Sequence, residues 1–218
     1  EKLRTKTFIC WANENWTKKW DGMEQNILLK QTYTQEDYKL FIKNSSNFFS
    51  SENYFKINGK PVILIYRPSL VPNIEEIVSF VRQGWKINGF PKVYLGWVKS
   101  NFPFKHSEIF DFSVEFPPNS TKYKDISSHY LGRSDNFERV KIYDWDSSEK
   151  LLPDQNSLPV VNPGWDNSAR RKTGATIITG CTPVKFGKSV NDELTFSKFR
   201  LENKKIIGVN AWNEWAES

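Results

Sequence analysis

Cysteine, histidine and methionine are scarce in this chain, with two Cys, two His and one Met among 218 residues. Cys10 and Cys181 stand far apart with no Cys-x-x-Cys or Cys/His ligand spacing. That count excludes a disulfide framework, and two free thiols fit a reducing compartment. His106 and His129 are single residues in loop-like sequence, so neither a zinc ligand set nor a Ser-His nucleophile pair is assigned. No Gly-rich phosphate loop follows the first strand-like segment, which removes the dinucleotide-binding fingerprint. No apolar run approaches the roughly 20 residues of a membrane span. The expectation is a protein without metal, cofactor or membrane span.

Aromatic residues, by contrast, are abundant. Nine Trp, eight Tyr and sixteen Phe make up 15% of the chain, and many lie beside Asn, Asp or Glu rather than within apolar runs. Such a mixture suits a polar ligand with flat apolar faces, as a sugar has. The formal charge of +6 would admit an anionic partner. Its lysines are dispersed along the chain, however, with no basic stripe or nucleic-acid motif, so nucleic acid is not expected as a partner.

Six segments rich in β-branched and aromatic residues recur along the chain: TFICWANEN (7–15), KPVILIYRP (60–68), KVYLGWVKS (92–100), DFSVEFPP (111–118), LPVVNPGWDN (158–167) and IIGVNAWNEW (206–215). Each is expected to be a strand. Apolar residues at spacings of three and four predict helices over 35–49 and 73–87, the second opened by Asn73 as N-cap. A third helix is predicted from Thr182 towards Asn203, with Pro183 in its first turn. The stretch 119–157, rich in Ser, Asp, Lys and Tyr, reads as a long loop. Strands alternating with helices predict an α/β fold built on a parallel sheet.

The strand ends narrow the choice further. Each segment begins apolar and finishes on polar or aromatic residues: Trp11, Asn13 and Glu14; Tyr66 and Arg67; Trp97 and Lys99; Glu115; Trp165, Asp166 and Asn167; Asn213 and Glu214. A (β/α)8 TIM-type barrel builds its site in this way, from the C-terminal ends of several strands. Eight strands and roughly 250 residues are usual for that fold. The chain is therefore expected to be one barrel domain over residues 1–218, a piece of a longer protein with about two strands preceding Glu1.

Five motifs in order, CWANENWTKKWDG (10–22), NGKPVILIYRP (58–68), VEFPP (114–118), PGWDNSARR (163–171) and NAWNEWAES (210–218), resemble the motif series of glycoside hydrolase family 99-like proteins of the WbsX type, found in bacterial polysaccharide and O-antigen clusters. The resemblance implies a barrel acting on glycans in a bacterial cytoplasm. It also implies a retaining, endo-acting, α-mannosidase-like chemistry without metal in the chemical step, with Glu214 and Glu217 as the catalytic carboxylates. Ser218 stands where that motif usually has Gly.

Each candidate also has a structural reading. Trp11, Trp16 and Trp20 suit either sugar stacking or a core, whereas Asn13 and Glu14 need polar partners if buried. Asp166 is a sugar ligand or a helix cap. Asn167 is placed beside it on the sugar, with Arg170 or Arg171 orienting a carboxylate. Tyr66 and Arg67 close a strand either on substrate or in an inner ion pair, and Glu115 has the same two readings. Trp165, Trp212 and Asn213 are placed on the substrate, the last two just before the carboxylate pair. Glu214 and Glu217, three apart, converge only if the strand ends near Asn213 and a turn follows. A glycan-cleaving enzyme is the leading reading. A nucleotide-sugar-dependent glycosyltransferase of lipopolysaccharide synthesis comes second, since no Asp-x-Asp metal motif is assigned, and a non-catalytic carbohydrate-binding module third.

Overall fold

The computed structural model describes residues 5–18, 23–100, 104–131, 140–149, 155–169, 171, 173–201 and 203–211. The strands, in chain order, are β1 (Ile9–Trp11), β2 (Trp16–Lys18), β3 (Met23–Leu29), β4 (Lys56–Ile57), β5 (Lys60–Ile65), β6 (Tyr94–Lys99), β7 (Phe112–Glu115), β8 (Lys122–Asp125), β9 (Val140–Glu149), β10 (Ser157–Leu158), β11 (Val160–Val161), β12 (Trp165–Asp166), β13 (Ala175–Thr179) and β14 (Gly208–Val209). The helices are α1 (Gln35–Phe49), α2 (Ile74–Ile87), α3 (Ser127–Leu131) and α4 (Pro183–Phe196). The chain divides into two compact units, one of Glu1–Glu14, Lys30–Val114 and Leu201–Lys204, the other of Asn15–Leu29, Glu115–Arg200 and Lys205–Ser218.

The first unit is a parallel sheet covered by helices. Its strand order is β1-β5-β6-β7, with β4 turned antiparallel against β5. Ile9 to Trp11 pair in parallel with Ile63 to Ile65, and Val62 to Ile65 with Tyr94 to Trp97. Strand β5 is buried from Pro61 to Ile65, as expected for a strand covered on both faces. In the middle of β6, Gly96 leaves room for its neighbours. A Cβ there would lie 2.6 Å from both Leu64 Cδ2 and Phe112 Cζ.

Helix α1 starts where its chemistry allows. The Thr34 hydroxyl accepts from the Asp37 amide (3.2 Å), and the Asp37 carboxylate accepts from the Thr34 amide (2.8 Å), a reciprocal capping box. Tyr38, Ile42, Ser45, Ser46 and Phe49 form its buried face; Ile74, Val78, Val81 and Trp85 form that of α2. Both follow the three-and-four spacing of an amphipathic helix. The two helices meet at Gly84, where a Cβ would come 2.5 Å from Ile42 Cδ1. The buried Trp85 indole donates to Ser45 Oγ (2.8 Å), and Ser45 donates to the Phe41 carbonyl (2.6 Å), so these polar atoms in the core are satisfied. Asn73 occupies the N-cap position of α2 but does not cap it. It is left-handed, with φ 49°, and its side chain bonds to no helix amide.

The described connection from β6 to β7 contains no α-helix. It passes through a 3-10 turn at Ser107–Ile109 and is fastened by Arg82 of α2, which donates to Val93 O (3.2 Å), Ile109 O (3.3 Å) and Asp111 Oδ2 (2.9 Å). The same Asp111 oxygen accepts from the Leu95 amide (2.8 Å).

The second unit has its own sheet, of order β12-β13-β9-β8, in which β13 and β9 run parallel and the outer pairs antiparallel. Strands β11 and β14 form a parallel pair, and β2 and β3 an antiparallel ribbon. Helix α4 is capped by Thr182, whose hydroxyl accepts from the Lys185 amide (3.3 Å), with Pro183 at its first position. It ends at Phe196, short of the Asn203 expected. The polar stretch 119–157 is not a loop: β8, α3 and β9 lie within it, and His129 belongs to α3.

The six expected strand segments therefore all carry strands, and the fold is mixed α/β with a parallel sheet. No described helix is long and apolar enough to cross a membrane.

Candidate functional site

In the first unit, β1 and β5 are parallel and in register, with Trp11 opposite Ile65. Their C-terminal ends therefore share one edge of the sheet. Two residues further on, that register would place Asn13 opposite Arg67, and a side chain continues the ladder there. The Asn13 amide nitrogen donates to the Arg67 carbonyl (2.7 Å), and the Asn13 amide oxygen accepts from the Arg67 N–H (2.7 Å). Tyr33 closes the group from the segment before α1: its hydroxyl donates to the Asn13 carbonyl (2.7 Å) and lies 3.3 Å from Asn13 Nδ2. Asn13 is fully buried. The partners demanded of a buried amide are thus backbone groups of the neighbouring strand end and a tyrosine.

This tie fixes the two charged residues beside it. The Arg67 guanidinium forms an ion pair with the Glu14 carboxylate; their side chains are 18% and 31% exposed, so parts of both remain in reach of a ligand. Tyr66 donates its amide to the Trp11 carbonyl (3.0 Å). Burial, then the negative charge of Glu14, raises its phenol above the ordinary range. The Tyr33 phenol is raised by burial as well. Trp11 packs on Phe41 (ring centroids 4.7 Å) and edge-on to Tyr33 (6.2 Å), half-buried at the margin of the core. The structure thus brings together Trp11, Asn13, Glu14, Tyr66 and Arg67 and adds Tyr33, which has no strand-end signal in the sequence. Lys99 ends β6, half-buried.

The second unit holds the other described candidates. Glu115 ends β7 half-buried and receives the Val160 amide at 3.4 Å. Trp165 and Asp166 form β12, both half-buried. Asp166 accepts from the Ser168 amide (2.8 Å), which makes a tight turn rather than a helix cap. Buried Asn167 accepts from the Thr176 amide (2.8 Å) and holds the β12–β13 ribbon. Arg171 donates to the Gly174 carbonyl (3.3 Å). Trp16, in β2, is 66% exposed. Trp20, Arg170, Trp212, Asn213, Glu214 and Glu217 lie outside the described residues.

One pair is spelled out in the sequence against the expectation of no such motif. Asp144 and Asp146 stand in Asp-x-Asp spacing within β9. Residues two apart on a strand share a face. Both carboxylates are already engaged within the fold. Asp144 accepts from the Asp146 amide (3.1 Å), and Asp146 pairs with Lys185 of α4, holding that ammonium above its ordinary range. Lys185 also donates to the Gly180 carbonyl (3.0 Å), so this cluster joins α4 to the sheet.

Comparison with known proteins agrees with the resemblance read from the motifs. The chain is 30% identical over 220 residues to protein WxcX of Xanthomonas campestris pv. campestris strain B100, covering 96% of this chain and 31% of that protein. WxcX of strain ATCC 33913 matches with the same identity and coverage. The chain thus spans about a third of the length of these curated relatives. No solved structure matches it. A model of the family described as Glycosyltransferase WbsX matches residues 1–218, and the chain belongs to that family.

Proposed function

We propose that the protein is a carbohydrate-active enzyme working on glycosidic bonds of a bacterial polysaccharide or oligosaccharide, with its site on the C-terminal strand ends of a single (β/α)8 barrel. The observation that carries this reading is the buried Asn13 tie, which presents Glu14, Arg67 and Tyr66 at one edge of a parallel sheet in a chain of a carbohydrate-active family. Strand-end charged groups beside half-buried aromatics suit sugar hydroxyls and ring faces. Glu14 accepts from a hydroxyl, Arg67 donates to one, and their mutual pairing keeps both oriented without leaving a naked charge.

The chemistry we assign is retaining hydrolysis by Glu214 and Glu217. Glu217 gives its proton to the leaving glycosidic oxygen. Glu214 takes the proton of the sugar's own 2-hydroxyl, whose oxygen closes on the anomeric carbon as the bond to the leaving group breaks. Water then opens this anhydro-sugar, losing a proton to Glu217, while Glu214 returns its proton to the 2-oxygen. Two glutamates three apart on a helical turn lie on the same side with Cβ atoms about 5–6 Å apart, so both can face one glycosidic bond.

A second reading, transfer from a nucleotide sugar, is favoured by the family's description as a glycosyltransferase. The full-length protein incubated with defined α-mannans and related bacterial polysaccharides, with and without nucleotide sugars, separates the two. Cleavage without donor supports hydrolysis, and donor consumption supports transfer. Binding without turnover in either case overturns both in favour of a binding module. Glu214→Gln and Glu217→Gln are each expected to abolish turnover while oligosaccharide binding survives. A near-parental rate in either variant would sink the carboxylate assignment.

A further inference from the structure

The glycan reading makes no use of Glu75, His106 and Glu108, yet each offers one donor atom and the three atoms lie within 4.8 Å of one another. In the sequence His106 looks solitary because Glu75 stands 31 positions away. The fold closes that gap. Glu75 lies in the first turn of α2; His106 and Glu108 belong to the connection between β6 and β7, which Arg82 fastens further along the same helix.

The geometry is that of a ligand set. His106 Nδ1 is 3.0 Å from Glu75 Oε1 and 3.9 Å from Glu108 Oε1. Two ligands each about 2.1 Å from a shared ion at the tetrahedral angle stand about 3.4 Å apart. The two observed separations straddle that value, the third pair of donor atoms lies within 4.8 Å, and the side chains of His106, Glu75 and Glu108 are 47%, 59% and 67% exposed, which leaves them room to close on one ion. The imidazole is seated against Phe104 (ring centroids 6.1 Å), which itself packs on Trp97 and Phe110 (5.2 and 5.7 Å). A single Nδ1–H can serve one carboxylate, leaving the second negative group beside the first, whereas one dication satisfies both carboxylates and the imidazole lone pair.

We propose that Glu75, His106 and Glu108 bind a divalent transition-metal ion of the zinc(II) class, with water completing its coordination, and that the ion pins the β6–β7 connection to the start of α2. The imidazole selects such an ion over magnesium or calcium, which prefer oxygen alone.

The test is calorimetric titration of the metal-stripped full-length protein with zinc chloride, and with magnesium chloride for contrast. One zinc equivalent is expected to disappear in His106→Ala and to weaken at least about tenfold in Glu75→Gln and Glu108→Gln. Glu76→Gln, in the same helical turn, should leave it unchanged, and magnesium should give no matching site. Circular dichroism checks that the variants are folded. Cobalt(II) in place of zinc should give a spectrum without a thiolate-to-metal band, which separates this site from Cys10 and Cys181. If His106→Ala binds zinc with parental stoichiometry and affinity, or if the parent binds no zinc that Glu75 and His106 both control, the three residues form a surface ion pair and the proposal fails.

Discussion

Asn13 is the residue on which the strand-end cluster depends. Its amide bonds to both the N–H and the C=O of Arg67, and the carbonyl also accepts from the Leu70 amide (3.1 Å), so Asn13→Ala removes two hydrogen bonds to the neighbouring strand end, at about 0.5–1.5 kcal/mol each. Urea unfolding should show that loss, and a shift in midpoint worth less than about 0.5 kcal/mol would refute the tie. In the proposed function Glu14 and Arg67 serve ligand binding instead. Charge-assisted hydrogen bonds are worth about 1.5–3 kcal/mol, so Glu14→Gln and Arg67→Ala should each weaken oligosaccharide binding about 10- to 100-fold, as titration with a bound glycan would read. Tyr54 adds a pH signature. Its hydroxyl donates to the Val62 carbonyl (2.7 Å) and receives the Ile9 amide (3.3 Å), and burial pushes its pKa from 10.0 up to about 12. Below pH 10 both folded and unfolded states hold the proton and stability is unaffected. Between about pH 10 and 12 the unfolded chain releases it first, so stability falls through that window. Tyr54→Phe should flatten this alkaline loss while lowering stability at neutral pH.

Among the elements, helices are the most legible. The expected 35–49 helix is α1 residue for residue, because its apolar period and its Thr34–Asp37 capping box mark the same start. Asn73 suits a cap by residue type alone; its left-handed backbone aims the side chain elsewhere, and no local sequence signal separates the two outcomes. Strands β8 and β9 are obscure for a different reason. Their residues alternate polar with apolar and carry many Ser, Asp and Lys, as suits ribbons with one wet face, whereas the legible strands are apolar on both faces. Within β6 the tightest constraint is Gly96. Gly96→Ala would drive a methyl into Leu64 and Phe112, and overpacking of this kind costs about 1–3 kcal/mol. A thermal melt of the variant should show the loss, while Gly59→Ala, where a Cβ meets nothing within 4 Å, separates crowding from backbone strain because its φ of 77° carries strain alone.

At the scale of the whole molecule, the positions of the parallel strands and the polar character of their ends are readable in advance, since a parallel strand buried on both faces is an unbroken apolar run. What the sequence hides are the contacts that act at a distance along the chain: Tyr33 on Asn13, Lys185 on Asp146, and His106 on Glu75. Each joins residues whose local sequence carries no trace of the partner. The first unit concentrates its buried aromatics in one cluster around Phe49, Trp85, Ile63 and Leu95. Amide exchange over 60–65 and 94–98 is therefore expected to be slower than over 122–125 and 140–149. Equal protection of the two sets would contradict a core centred on that cluster. The Asn13 tie has one more consequence, for how such a protein changes its substrate. Asn13 grips the main chain at position 67 and takes no account of which side chain is there, so the pair at 14 and 67 can be exchanged together for other polar residues while the sheet edge stays intact. If the proposed function holds, specificity at this edge is a replaceable insert in a fixed frame, and paired libraries at 14 and 67 are where a search for altered sugar preference should begin.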